Sequence, residues 1–178
     1  VQKELFIPLF CASAETNVGV ARLMDFIAKY GSSPVDRRKV KALDVNGADV
    51  EVALDDPAPV LYVFKTMSEA HFGELSFFRT YAGSVSTGMD LFNSDRKVSE
   101  RMGQIYLLNG QTREAVHALG PGDIGAVVKL KDTHTGNTLC HAKRAVTLPK
   151  VVYPRPNIHA ALHGNVRGEE DKIASGLA

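Results

Sequence analysis

The side chains able to do chemistry are few, and their spacing decides what they can do. No Gly-x-x-x-x-Gly-Lys-Ser/Thr loop occurs, nor any Gly-Lys dipeptide, so a phosphate cradle with its lysine is absent from this sequence. Asp44-Val45-Asn46-Gly47 spells Asp-x-x-Gly, a pattern used elsewhere to sense Mg²⁺ and a γ-phosphate; in a turn-rich linker the match is read as chance. A Gly-x-Ser-x-Gly elbow is missing too. His134, His141, His159 and His163, with Cys140, carry metal-binding atoms, but there is no Cys-x-x-Cys knuckle, and adjacent Cys140 and His141 point to opposite sides of a strand. Surface histidines are expected, and no metal. Glu69 and Glu74 flank His71-Phe72-Gly73, yet an acid–base pair needs a cleft that tunes it, and a solvated loop between two strands explains these residues more simply. No catalytic residue is expected.

The basic residues are more informative. Arg96, Lys97 and Arg101 fall on one charged loop and ribbon beside Asn93 and Ser94. A solvated ribbon and a phosphate-contacting edge both fit, since loops of antiparallel barrels grip structured RNA through backbone charge and shape. Arg79 has the strand parity of Leu75 and Phe77, which predicts an inward side chain unless a bulge resets the register. A second basic cluster, Arg37, Arg38, Lys39 and Lys41, reads as a solvated face, with phosphate contact as the alternative.

The elements that must position these groups are mostly strands. Alternating runs at 59–65, 74–81, 84–86, 91–92, 97–101, 105–108, 114–118, 124–130 and 138–140 are separated by Gly, Asn and Asp turns, with Asn109-Gly110 the strongest hairpin signal. Many short strands with no helical pattern between them predict an antiparallel barrel or sandwich. Ahead of it, apolar residues 5–12 predict a buried parallel-type strand, or an edge or irregular one because of Pro8, and Val20, Leu23, Met24, Ile27 and Tyr30 mark a helix that Gly31 ends. That is half of a βαβ unit. Residues 32–57 read as a linker holding Pro34, the basic cluster and a Val45-Asn46-Gly47 turn. Beyond Pro149, Tyr153-Pro154-Arg155-Pro156 is an extended connector, residues 157–163 predict a fresh strand, and residues 168–173 open a helical pattern.

Totals set the outer bounds. The chain has 178 residues, 44% of them hydrophobic, which suits one main domain with appendages. A formal net charge of +1 makes the global field weak, so any nucleic-acid contact has to come from a local patch. Two cysteines give no disulfide framework and fit a reducing, cytoplasmic setting, and no apolar run reaches the length of a membrane span. The sequence opens on Val1 and stops within a helix-like pattern, so a piece of a longer protein is expected.

Several blocks, in order, resemble the second domain of translation elongation factor G. They are Phe64-Lys65, then Phe72-Gly73-Glu74-Leu75-Ser76-Phe77-Phe78-Arg79-Thr80-Tyr81-Ala82-Gly83, then STGMDLFN at 86–93, RMGQIY at 101–106, ALGPGDIG at 118–125 and TGNTLC at 135–140. Cys11-Ala12-Ser13-Ala14 followed by Gly19 resembles that family's last guanine-nucleotide motif, and Pro154-Arg155-Pro156-Asn157-Ile158 resembles the entry to its third domain. The resemblance implies a mainly β fold: a GTPase-domain tail (1–34), a linker (35–57), the domain II barrel (58–150) and the start of an α+β domain III (151–178). It implies guanine contact by Ser13 and Ala14, and contact with small-subunit ribosomal RNA, for which Arg96, Lys97, Arg101 and Arg79 are the candidates. The parent would be a cytoplasmic, monomeric GTP hydrolase that uses GTP and Mg²⁺ and drives tRNA–mRNA translocation on the ribosome. This piece would be non-catalytic and without a cofactor, packing on its own GTPase domain and domain III. Ala82, Thr80 and Asn137 depart from the usual family residues, which leaves the branch open. A second elongation factor G-like copy in ribosome recycling, a tetracycline-resistance ribosomal protection protein and release factor three are alternatives, as is a protein-interaction module without RNA contact.

Overall fold

A strand persists only where a neighbour takes up its backbone hydrogen bonds, and that rule sorts the expected elements. The computed structural model describes residues 7–69, 73–110, 112–164, 168, 172–173 and 176. In chain order its elements are α1 (Val20–Tyr30), β1 (Lys39–Asp44), β2 (Asp49–Ala53), β3 (Val60–Glu69), β4 (Gly73–Ala82), β5 (Val85–Ser86), β6 (Asp90–Asn93), β7 (Val98–Arg101), β8 (Ile105–Asn109), β9 (Thr112–Val116), β10 (Ala118–Leu119), β11 (Ile124–Val128), β12 (Thr138–Cys140) and β13 (Val146–Thr147). An eight-stranded sheet in the order β7-β6-β12-β3-β4-β11-β8-β9 has antiparallel pairing throughout. It forms the barrel-type body, and the strands expected between 59 and 140 are all present.

The core follows from the pleat. Leu61 and Val63 of β3, Phe78 of β4, Leu91, Ile105, Val127 and Leu139 pack together with almost no exposure. Burying each such side chain stabilises by about 1.5–3 kcal/mol. Strand β3 is buried on both faces, because Val60 and Tyr62 meet a second cluster containing Ala42, Val52, Ala82, Cys140 and Val146. That second cluster corrects the linker expectation. Residues 39–53 form the β1–β2 hairpin, and β13 pairs with β1 to make a three-stranded sheet against the outer face of β3, β4 and β12. Each hairpin strand buries only one residue, Ala42 or Val52, so its amphipathic signal is faint. The Asp44 carboxylate accepts from the N–H groups of Asn46 (2.8 Å) and Ala48 (2.9 Å), so this Asp-x-x-Gly stretch is the hairpin turn. Those backbone N–H bonds, Ala48 first, hold the Asp44 carboxyl below the usual carboxylate range.

Arg79 does not point into the barrel. From Ser76 onward the even residues of β4 are buried, while Phe77, Arg79 and Tyr81 lie half-buried on the outer face. Leu75 shares that outer parity and is buried there by a small cluster of its own, with Ala126 and Val128. The expected parity therefore holds, but the barrel core lies on the opposite face from the one it was assigned.

At the ends, the strand rule removes two elements. Residues 7–12 have no strand and leave Ile7 and Leu9 more than nine-tenths exposed, because a parallel-type strand finds no neighbour here. Residues 157–163 are likewise unpaired and exposed. The expected helix after 168 falls mostly outside the described residues; Lys172 and Ile173 within it are helical. Helix α1 forms as expected, stacking Phe26 between Phe10 and Tyr30, and buries none of its own residues.

Two glycines separate steric from torsional strain. Both have positive φ, Gly83 at 60° and Gly47 at 80°, but a Cβ on Gly83 would meet backbone atoms of residues 57–59 at 2.6–2.8 Å, and one on Gly47 would meet nothing. Gly83→Ala should therefore destabilise by about 3 kcal/mol or more, and Gly47→Ala by about 1 kcal/mol, in urea melts. Equal losses would show that the close backbone approach at Gly83 is unimportant.

Candidate nucleic-acid interface

The charged ribbon is a hairpin. Strands β6 and β7 pair Asp90 with Arg101, Leu91 with Glu100, Phe92 with Ser99 and Asn93 with Val98, and residues 94–97 close the loop. Lys97 takes φ 60°, and its N–H returns to the Asn93 carbonyl at 2.8 Å. A left-handed non-glycine residue costs free energy, so something else must hold the loop.

What holds it is a buried polar network. Asn93 has no exposed surface; its amide Nδ2 donates to Thr133 Oγ1 (3.0 Å), Asn137 Oδ1 (3.1 Å) and the Asp132 carbonyl (3.3 Å). Two hydrogens serve three acceptors, so one bond is shared. Its Oδ1 accepts from the N–H groups of Asp95 (3.1 Å) and Arg96 (3.0 Å), fixing the loop backbone. Glu100, 2% exposed, accepts from Lys131 N (3.0 Å), Asp132 N (2.7 Å) and Thr133 Oγ1 (2.8 Å). Asp95 Oδ2 takes the Thr138 N–H at 2.8 Å, and Lys150 reaches Asp95 Oδ1 at 3.3 Å. The 94–97 loop and the 131–138 segment are thereby one unit.

The cations on this unit are not equivalent. Arg96 is committed: its Nη2 and Nε lie 2.8 and 3.0 Å from Asp132 Oδ1, with His134 Nε2 at 3.6 Å from the same oxygen. The hydrogen bond from Arg96, more than its charge alone, holds the Asp132 carboxyl below its ordinary range, and Asp132 raises Arg96 in return. Arg101 is 3.4 Å from Asp90 with both side chains mostly exposed, a pair worth about 0–1 kcal/mol. Lys97 is exposed and has no ion-pair partner among the described residues. Sequence reasoning missed Lys129 and Lys131, which border a hollow of about 310 Å³ together with Arg101. The signal was the Lys129-Leu130-Lys131 pattern, a buried leucine between two exposed lysines just past β11, where Lys129 takes φ 64°.

The other candidates lie elsewhere. Arg79, on β4, is separated from β7 by β6, β12 and β3 in the sheet order. Ser13 bridges Val18 by backbone bonds of 2.9 and 3.1 Å, closing an exposed turn that presents Ala14. Cys140 is buried, which pushes its thiol up, whereas His141 is exposed beside it. Glu74 is exposed; His71 and Phe72 lie outside the described residues. Among the described residues no three His, Cys, Asp or Glu side chains gather as a metal set, and no helix is long and apolar enough to cross a membrane.

Two comparisons bear on this arrangement. Residues 59–142 match the family described as elongation factor G domain 2, a span that contains the whole β6–β7 edge and its network except Lys150. A crystal structure of a protein from Thermus thermophilus is similar over 93% of this chain at 25% identity with a TM-score of 0.70. The chain spans 23% of that protein's length.

The network and the ion pair make separable predictions. Glu100→Gln turns one acceptor oxygen into an NH2 that faces the N–H of either Lys131 or Asp132, and Asn93→Ala strips five bonds; each should cost about 2–4 kcal/mol in denaturant melts. Losses below about 0.5 kcal/mol would remove the network's structural role. Because the folded Asp132 pKa is depressed, its pairing contributes fully above the unfolded value of about 3.9 and is lost as pH falls through the lower folded value. A carboxyl-carbon NMR titration should place Asp132 below about 3.9, and Arg96→Gln should return it toward that value.

Proposed function

Residues 59–142 belong to the elongation factor G domain 2 family, and from that premise we propose that the chain is the barrel portion of an elongation factor G-like translational GTPase. In this reading the barrel docks the parent on the ribosome and couples that docking to GTP turnover during tRNA–mRNA translocation. The observation carrying it is the β6–β7 edge, where Lys97 and Arg101 are held outward by a buried polar network with weak or no ion-pair partners among the described residues. Small-subunit ribosomal RNA is the proposed partner, met through phosphates as a basic edge on a rigid loop meets them. Arg96 serves chiefly to set the loop through Asp132.

The catalytic step is assigned to the part of the parent outside this chain. Ser13 and Ala14 would contribute contact to the guanine ring. Support comes from the Ser13–Val18 bridge, which leaves Ala14 on the surface, and from Gly19, where a Cβ would meet the Cys11 carbonyl at 2.8 Å. GTP supplies the hydrolysable bond when bound, with Mg²⁺, and its phosphates are assigned to residues beyond this piece. The protein acts in the cytoplasm, where ribosomes are.

The test uses the full-length parent. Reversing Lys97 and Arg101 to Glu should lower ribosome-stimulated GTP turnover about tenfold or more while leaving turnover without ribosomes unchanged. Adding Arg96→Glu should deepen the loss by setting a carboxylate against Asp132. Stimulation equal to the wild type would remove the RNA-contact assignment. Ribosome cosedimentation that survives deletion of the barrel would favour a protein-interaction module.

A further inference from the structure

The basic cluster expected to be a solvated face is carried by the β1–β2 hairpin and its approach to a position beside Arg79 of β4. Together they border a cavity of about 370 Å³, within the range of small-ligand pockets, about 300–1,000 Å³. Its charged wall is Arg37, Arg38, Lys39, Lys41 and Arg79, and no carboxylate lines it. The approach segment is seated firmly: Gly122, at φ 93°, lies so close to Pro34 that a Cβ there would collide with the ring.

The cations are short of partners. Lys39 is held by Glu51 at 2.7 Å, but Arg37, Arg38, Lys41 and Arg79 form no ion pair among the described residues. Asp55 stands nearby, on the adjoining hollow beside Arg38. The Arg79 Nε–H is buried and donates to no acceptor among the described residues. Its guanidinium sits 5.2 Å from the Tyr81 ring centroid, a contact that fixes the plane but supplies no acceptor oxygen. Like charges gathered around a partly enclosed space repel, and a buried N–H without an acceptor is costly. A phosphate group relieves both, since guanidinium forks match its oxygens and its charge offsets the cluster.

We propose that this cavity is a second phosphate-binding site, taking a phosphodiester of RNA or the phosphate of a small free ligand. It is separate from the β6–β7 edge and does not depend on that edge contacting RNA. Arg79 is the inner ligand, and Arg37 and Arg38 guard the mouth.

The 178-residue chain itself serves for the test, with a short labelled RNA hairpin and inorganic phosphate as probes. Inorganic phosphate should shift the Arg79 Nε–H resonance. Arg79→Gln and the double variant Arg37→Gln/Arg38→Gln should each weaken RNA binding about tenfold, and each contact removed should lower the salt slope by about 0.7–0.9. Lys143→Gln, exposed and outside the cavity, should leave binding unchanged. A response to both probes assigns the site to RNA backbone, and a response to inorganic phosphate alone assigns it to a small phosphorylated ligand. Should Arg79→Gln lower the melting temperature, the double variant, confined to exposed residues, carries the test. An Arg79 Nε–H that answers neither probe, or a double variant binding both as the wild type does, would overturn the proposal. Survival of Arg79 shifts in Lys97→Glu/Arg101→Glu separates this site from the edge.

Discussion

The buried carboxylate of Glu100 and the buried amide of Asn93 are the constraint on which the arrangement of charge depends. A charge inside a protein is tolerated only when hydrogen bonds replace its water, and Glu100 obtains three, all from residues 131–133. Asn93 reaches into the same segment and also back to its own loop. Neither loop can move without leaving a polar atom unpaired in the interior. This cost keeps Lys97 in its left-handed conformation and holds Arg101 on the outer side of β7.

That constraint could not be read from sequence. Asn93, Glu100, Thr133 and Asn137 look like ordinary surface residues, and what buries them is contact across 31–44 positions of chain. By contrast the strands themselves were legible, because apolar residues such as Leu75, between Glu74 and Ser76, alternate with polar ones and glycines mark the turns between strands. The linker hairpin was hidden for a related reason. Lys39, Lys41, Asp49 and Glu51 dominate its composition, and its buried Ala42 and Val52 gain partners only when β3, β4, β12 and, about a hundred residues on, β13 pack against it. Residues 7–12 and 157–163 show the converse: their apolar patterns are strand-like, yet a strand pattern without a neighbouring edge has nowhere to place its N–H and C=O groups.

The cations sort by what already holds them. Arg96 and Lys39 have short contacts to carboxylates, and the lowered acid values of Asp132 and Glu51 record those bonds. Arg144 is held by the nearly buried Asp56, which also caps the turn into β3 through the Ala58 N–H. These three fasten the fold. Among the described residues Lys97, Lys129, Lys131, Arg37, Arg38, Lys41 and Arg79 are not fastened in this way, and they are the charges available to an external anion.

Availability follows from the energetics of exposed pairs. The Arg101–Asp90 contact is long and solvated, so surrendering it costs at most about 1 kcal/mol, whereas a phosphate in a less hydrated interface repays more than that. Arg96 is differently placed: moving it away from Asp132 would uncover the residue whose N–H anchors Glu100, and the loss would spread through the network. On the edge proposed to meet RNA the two kinds of arginine are therefore divided, Arg96 in the 94–97 loop and Arg101 at the far end of β7. Arg96 is spent on holding the loop, and Arg101 is left only loosely paired with Asp90.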